Sequence, residues 1–595
     1  MVQLFVPVSQ MKKTFATLAL LSTTAISCMS LSDGDKPEMH TNVADWRDEI
    51  IYQVLVDRFA NGDVNNDFGV QAGHLSRFQG GDWRGLQNHL DYFEKLGVTT
   101  LWISPVVRNV DTDADFDAYH GYWAQDLTET NPHFGDLADL RSLVNAAHRK
   151  NLKVVLDIVT NHMGQVFFYD QNLNGKPDVY IGGSGSSSPV SRSTEFDPDW
   201  DSRGVQVATS LGVAGRAPVT FFDLPDVYRQ RPRPEVLGTA DAYHGFGRTL
   251  DYEAPAQLLM GDFPGGLKDV ATELPEVRTA MVDAYARWAE LADLDGFRID
   301  TVKHVEHGFW QHFAPAVRER LSAKGKDRFL MFGEAFDGRD DLLGSFTQPG
   351  EMDSVFYFSQ KYVVYADVFE KAHDANAQRG TSQIEWLWNQ RKTNWSNTPQ
   401  PNGIGLAPSR VPVNFIDNHD TARFLFNARG DVKALRNALT LLLTEEGIPC
   451  VYYGTELDFF GGNDPANREV MWTTGFDSTG ATWQHLARLN AVRKQHAALR
   501  RGDTKILFST PHTQTEPDAG LFAFERSGGE AGDDYALVVL NTNGRQTSRV
   551  QLTTSRPAGS MLVDAMTPGV TLTVKAGGLL DVEVPAQGAL VLVKP

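Results

Sequence analysis

Short apolar runs recur through the middle of the chain, and eight of them read as buried strands: Ile50 to Val56, Thr99 to Ile103, Lys153 to Ile158, Gly296 to Ile299, Phe329 to Phe332, Ser354 to Phe358, Val413 to Ile416 and Pro449 to Tyr453. Helical patterns lie between many of them. In one, Val277, Met281, Ala284, Tyr285 and Trp288 repeat at the spacing of a helix face. Strand alternating with helix predicts an α/β fold with its strands parallel in a barrel, and in such barrels the chemistry sits at the carboxyl ends of the strands.

Two stretches break the alternation. Residues 164 to 268 are rich in Gly, Ser, Pro and Asp, including the run from Gly182 to Pro189, and sustain no helical period. From about Asp503 the pattern changes to short β-like runs, among them Ala536 to Leu540 and Leu590 to Val593. At the other end, Met11-Lys12-Lys13 followed by the apolar Thr14 to Ser27 has the basic and hydrophobic regions of an export signal, with Met11 as the working start. Ala25-Ile26-Ser27-Cys28 resembles a bacterial lipoprotein processing site. It predicts lipidation of Cys28 and attachment at the cell envelope; ordinary cleavage would leave a periplasmic or secreted protein.

The 595 residues suffice for a barrel of about 250 residues plus further modules. A formal net charge of −20 disfavours nucleic acid and acidic polymers as partners and suits a neutral substrate. Only Cys28 and Cys450 are present, so once Cys28 is lipidated or removed no intramolecular disulfide is possible, and Cys450 reads as a core thiol.

Carboxylates follow several of the predicted strands. Asp157-Ile-Val-Thr-Asn161-His162, Gly296-Phe-Arg298-Ile-Asp300, Gly333-Glu334 and Phe415-Ile-Asp-Asn-His419-Asp420 stand in that order. Retaining cleavage of a glycosidic bond needs one ionised carboxylate as nucleophile and one protonated carboxyl group as acid. Asp300 suits the first role and Glu334 the second. Arg298, two residues before Asp300, shares its strand face and favours its ionised form. Asp420 is placed to stabilise a positively charged transition state.

These four motifs, with Gly97 to Pro105 and Ala118-Tyr119-His120-Gly121-Tyr122-Trp123, resemble the α-amylase family of glycoside hydrolases from about Trp46 to about Gly502. The resemblance implies a (β/α)8 TIM barrel with an inserted domain B after the third strand and a C-terminal β-sandwich domain C. The expected division is a signal over 1–28, a linker over 29–45, barrel over 46–163 and 271–502, domain B over 164–270 and domain C over 503–595. It also implies that Asp300, Glu334 and Asp420 are catalytic. Tyr122, His120, Asp157, His162, Arg298, Lys303, His304 and His419 would bind the sugars, with Tyr122 stacking on a ring and Asp157 bracing Arg298. The string Asp300 to His304 has the form usual in α-1,4-specific members, so the expected activity is that of an α-amylase on starch, glycogen or malto-oligosaccharides. A cyclodextrinase or glucanotransferase is the alternative within the family, and a non-catalytic glycan-binding lipoprotein the alternative outside it. Residues 503 to 595 leave room for domain C but not for the starch-binding modules of the larger transferases. The expected state is a monomer.

The resemblance further implies structural Ca2+. Asn161, Asp269 and the carbonyl of His304 would form one site, Asp269 being preferred to Asp226 because it continues into the expected helix start, although Lys268 stands where proline is usual. Asn61, Asp63, Asn66, Asp67, Gly80 and Asp82 resemble a second calcium loop. Asp170 to Asp178 has alternating oxygen-bearing residues around Gly175, which makes it a third candidate site, but no glutamate at position twelve.

Overall fold

The computed structural model describes residues 37–113, 116–169, 218–222, 229–247, 249, 251–263, 266–529 and 532–595. The export signal with Cys28, part of the linker, the Asp170 to Asp178 loop and Asp226 lie outside the described residues.

Eight parallel strands form one sheet. They are β1 (Ile51–Val54), β2 (Thr100–Ile103), β3 (Lys153–Ile158), β4 (Gly296–Ile299), β5 (Leu330–Gly333), β6 (Ser354–Val355), β7 (Val413–Asn414) and β8 (Ile448–Tyr452). Their order is β6-β5-β4-β3-β2-β1-β8-β7, and a parallel bridge between Phe356 and Val413 joins β6 to β7, closing the barrel. Every residue of these strands is buried, because side chains pack the interior on one face and the surrounding helices cover the other. The helical pattern from Val277 to Leu291 lies within a helix over Pro275–Ala292.

All eight expected strands are present, and several are shorter than their apolar runs. β1 stops at Val54, and Val56–Phe59 forms a helical turn. β6 and β7 are two residues each, because the chain leaves the ladder early to build the loops of the barrel's upper face.

The insert is joined at its base by a two-residue antiparallel ladder, His162–Met163 against Lys268–Asp269. Its described parts hold a three-residue antiparallel ladder, Phe167–Tyr169 against Val219–Phe221, one short α-helix, Pro255–Met260, and 3-10 turns at Glu235–Gly238 and Ala240–Ala242.

Beyond the barrel, β9 (Asp503–Phe508), β10 (Leu521–Ser527), β11 (Tyr535–Asn541), β12 (Ser548–Thr553), β13 (Met561–Asp564), β14 (Thr571–Thr573), β15 (Leu579–Val584) and β16 (Ala589–Val593) form a six-stranded and a two-stranded antiparallel sheet. The two sheets enclose a core that includes Leu537, Val539, Leu562, Leu580 and Leu592. Arg526 of β10 donates to the carbonyl of Thr444 (2.8 Å), and Trp388 meets Phe522 and Phe524 edge-on, so this module is seated on the barrel.

Candidate active site

Strand register assembles the floor of the site. Arg298 on β4 lies directly opposite Asp157 on β3, and both are buried. Its Nη1 donates to Asp157 Oδ1 (2.9 Å) and Oδ2 (3.1 Å) and to Asp300 Oδ1 (2.7 Å), while Nη2 lies 2.7 Å from Glu334 Oε2. Asp157 Oδ2 also accepts from Trp102 Nε1 (3.0 Å) and the Tyr122 hydroxyl (2.7 Å). The backbone around Glu334 is pinned from both sides, since its N–H donates to Ile299 and its carbonyl accepts from Val302 (both 2.8 Å). Gly333 permits that approach, because a Cβ there would meet Val302 Cγ1 at 2.7 Å. Thr301, next to Asp300, has φ 50°, a left-handed conformation unusual for a β-branched residue and characteristic of strained functional sites.

One guanidinium therefore serves three carboxylates, which cannot all ionise cheaply in a buried place. Burial, with Asp300, Asp420 and Asp157 adding to it against Arg298, holds Glu334 well above the usual carboxylate range. Burial raises Asp157 to about 7 against the pull of Arg298. Glu334 Oε1 is buried without a hydrogen-bond partner among the described residues, and Glu334 lines a cavity of about 590 Å³. A carboxyl group biased toward its protonated form thus faces the space where a substrate would lie.

Four histidines line the same cavity: His120, His162, His304 and His419. Burial is the first cause that lowers each of them, His304 to about 4. A neutral imidazole donates one hydrogen bond and accepts another, which suits sugar hydroxyls. His304 Nδ1 is 3.2 Å from the carbonyl of Leu258 and so carries the proton. Tyr122 lies parallel to His419 (5.3 Å between centroids) and to His120 (5.5 Å), and its part-exposed ring also lines the cavity. Lys303 reaches the cavity as well, with Nζ held by the carbonyl of Phe336 (2.6 Å).

Residues 53–503 match the sequence profile described as alpha amylase, catalytic domain. The chain belongs to the α-amylase family. That family model supports a glycoside hydrolase or transferase, an enzyme class acting on glycosidic bonds. It is 31% identical over 559 residues to an α-amylase of Streptomyces lividans, covering 87% of this chain and 56% of that relative. The chain thus spans little more than half the length of that relative. Among solved structures it is similar to an α-amylase from Geobacillus thermoleovorans complexed with acarbose, with TM-score 0.68 and 26% identity, covering 93% of this chain and 99% of that one. It is equally similar to a cyclomaltodextrin glucanotransferase described as the first with a three-domain ABC distribution, with TM-score 0.69 and 26% identity, covering 92% and 99%.

Of the residues singled out from the sequence, Asp300, Glu334, Asp420, Tyr122, His120, His162, Lys303, His304 and His419 all line this α-amylase-family cavity, and Asp157 and Arg298 lie beneath it. Others on the wall were not foreseen: Trp123, Tyr252, Phe263, Phe336, Asp464 and Arg468. Arg468 Nε donates to the carbonyl of His419 (3.1 Å), and its other nitrogens reach Asp420 Oδ1 (3.3 Å) and Asp464 Oδ1 (3.0 Å). Asp464 and Arg468 lie 12 and 16 residues beyond the end of β8, past a 3-10 turn at Thr455–Leu457, so no strand-end signal marks them. Tyr252 and Phe336 carry no such mark; they are exposed aromatics on loops.

The candidate calcium residues divide. Asn61 Nδ2 donates to both oxygens of Asp67 (2.9 Å each), and a Cβ on Gly80 would meet Asp67 Oδ1 at 2.6 Å, so these three converge, with Asn66 Oδ1 buried and unpartnered in the same loop. The carboxylates expected from Asp63 and Asp82 are committed elsewhere. Asp63 holds Asn65 and Arg84, and Asp82 caps a short helix through Gly85 N (2.6 Å) and takes Gly62 N and Asp63 N. At the other candidate site Asn161 Oδ1 is buried and unpartnered, whereas Asp269 accepts from His244 Nδ1. Burial raises Asp269 to about 8; His244, which burial would lower, is raised to about 10 by its hydrogen bonds to Asp269 and Glu273. No trio of His, Cys, Asp and Glu forms a ready metal cluster among the described residues.

Proposed function

We propose that this chain is a retaining α-1,4-glucan hydrolase, an α-amylase acting through a covalent glycosyl intermediate. The observation that carries the reading is the pair Asp300 and Glu334 held at 2.7 Å by the two terminal nitrogens of Arg298, with Glu334 raised. A shared guanidinium favours the close carboxyl spacing of a retaining pair, about 5 to 5.5 Å, over the wider gap that admits a water. Asp300 attacks the anomeric carbon while Glu334 gives its proton to the leaving glycosidic oxygen. Glu334, now a carboxylate, takes a proton from water as that water displaces Asp300. Asp420, partly exposed beside Arg468, stabilises the positive charge of each transition state. Neutral His120, His162 and His419 bind hydroxyls at the cleavage point, and Lys303 and His304 bind the leaving sugars. Activity should fall as pH rises through the titration of Glu334, because the acid form does the work.

A product time course on soluble starch and on β-cyclodextrin tests this. Early malto-oligosaccharides from starch, with little action on the ring, support the α-amylase. Cyclic products or preferred ring opening would move the assignment to a transferase or cyclodextrinase. That second reading has support of its own: the similar three-domain glucanotransferase removes the force of the argument from the short segment after the barrel.

Calcium fits the Asn61, Asn66, Asp67 and Gly80 loop, where an amide oxygen is buried without a partner among the described residues and a glycine leaves space. At the second site Asn161 offers a free oxygen while Asp269 keeps His244, so the fit is partial. Bound calcium would supply charge neutralisation and cross-linking of loops. Removing it with chelator should lower the unfolding temperature by about 1 to 2 degrees, as expected for the loss of about 1 to 2 kcal/mol from a chain of this size. Export and lipidation rest on Met11 to Cys28; incorporation of labelled fatty acid that disappears in Cys28→Ala would test them.

A further inference from the structure

His419 is gripped from below by a residue of the first strand. Gln53 on β1 is 2% exposed and stands in register with Trp102 of β2 and Tyr452 of β8. Its Nε2 lies 2.6 Å from His419 Nδ1. Across the ring, His419 Nε2 lies 3.1 Å from Asp420 Oδ2. Tyr122 covers one face at 5.3 Å and Trp102 meets the ring edge-on at 6.3 Å, so the imidazole cannot turn over without displacing both.

A neutral imidazole carries one N–H, and the position of that proton decides what each side of the ring can bind. A carboxylate oxygen accepts, so the proton is favoured on Nε2, which lies 3.1 Å from Asp420 Oδ2 in a charge contact rather than an aligned hydrogen bond. Nδ1 is then a lone-pair acceptor and needs a donor, which the Gln53 amide supplies. Turned over, the amide would set its oxygen against that lone pair. The present orientation leaves Gln53 Oε1 buried without a hydrogen bond among the described residues, a cost accepted for the contact with His419.

We propose that Gln53 is a positioning residue that holds His419 in the Nε2–H tautomer, so that its single N–H is presented to Asp420 and to the sugar hydroxyl bound beside it. The groups facing the ring are Gln53 from β1, Trp102 from β2, Tyr122, Arg298 and Asp300 from β4, Asp420 from its own loop and Arg468 from the segment after β8. Burial first, then Arg298 and Arg468, opposed by Asp300, keep the imidazole well below its ordinary pKa. Only the choice between the two neutral tautomers is therefore left open, and Gln53 makes it. The inference rests on reading His419 and Asp420 as sugar-binding groups, and goes beyond it in naming what orients them.

Neutron diffraction from crystals of the intact, perdeuterated protein at about pH 7 reads the tautomer directly. Deuterium on Nε2 and none on Nδ1 is expected; deuterium on Nδ1 overturns the proposal and needs no variant to show it. Gln53→Leu, which keeps the volume and removes the donor, should lower kcat on starch at least about tenfold with KM little changed, a smaller loss than the roughly 10⁴ seen when a triad histidine is left in the wrong tautomer. Gln53→Glu, which offers only acceptors, should lose at least as much and bring deuterium to Nδ1. An unchanged kcat in Gln53→Leu refutes the role. Absence of α-glucan turnover in the unmodified protein would defeat the functional reading instead, while the diffraction result would still decide the tautomer.

Discussion

Strand β4 carries an aspartate at each end, and the two live in opposite conditions. Asp295, just before Gly296, accepts from Asn42 Nδ2 (2.9 Å), Lys326 Nζ (3.1 Å) and Val154 N (2.9 Å), with His148 Nε2 at 2.8 Å. Burial alone would raise it, yet hydrogen bonding from His148 and the charges of Lys326 and His148 bring it down to about 2. Asp300, just after Ile299, shares its one arginine with Asp157 and Glu334. At the lower end two basic groups serve Asp293 and Asp295; at the upper end one cation serves three acids. The lower cluster is satisfied and stabilises the fold. The upper one has a Glu334 pKa pushed upward, a Glu334 oxygen unpartnered among the described residues and a strained Thr301, features of a place shaped for chemistry.

Breaking the upper cluster at its centre should have the largest effect. Arg298→Met removes the cation that the three acids share and should cost about 3 to 5 kcal/mol of stability together with nearly all activity, measured by denaturant unfolding and by release of reducing sugar. Glu334→Gln should sharpen the contrast by separating the two quantities. It should lower kcat by about 10² to 10⁴. Its stability should rise relative to the parent above the ordinary carboxylate range, because a folded-state pKa raised above the unfolded value destabilises the parent as pH climbs. The Gln variant has no proton to hold, so equal pH profiles of unfolding for the two proteins would contradict this.

The lower cluster should respond in the reverse sense and least. The folded pKa of Asp295, about 2, lies under its ordinary 3.8, so its contribution is complete above about pH 4 and is lost as pH falls through 2. Asp295→Asn should cost roughly 2 kcal/mol at neutral pH, flatten the loss of stability on acidification, and leave kcat on starch within about twofold. A large fall in kcat would show that the two ends of β4 are coupled after all.

The difference between these ends was only half legible in the chain. Asp300 stood out because Gly296 to Asp300 sits among similar motifs in a fixed order, and the two-residue spacing from Arg298 placed both side chains on one face. Asp295 has the same local setting, an acid beside a buried strand, but its partners come from Asn42, His148 and Lys326, far away in sequence. Likewise nothing local marks Gln53 as the partner of His419, or Arg468 as that of Asp420. The family resemblance pointed to Asp63, Asp82 and Asp269 as calcium ligands; in the fold the first pairs with Arg84, the second with loop amides and the third with His244. Spacing reports which atoms a segment offers; neighbours elsewhere decide which of them remain free.

By itself the sequence determined the eight strands, their alternation with helices and the acids at their carboxyl ends, because hydrophobic period and strand termini are local properties of the chain. Tertiary structure alone decided how charge is distributed among those acids. Register set Arg298 opposite Asp157, loops from β5, β7 and β8 closed over them, and burial in that shared space, rather than any property of one residue, keeps a proton on Glu334.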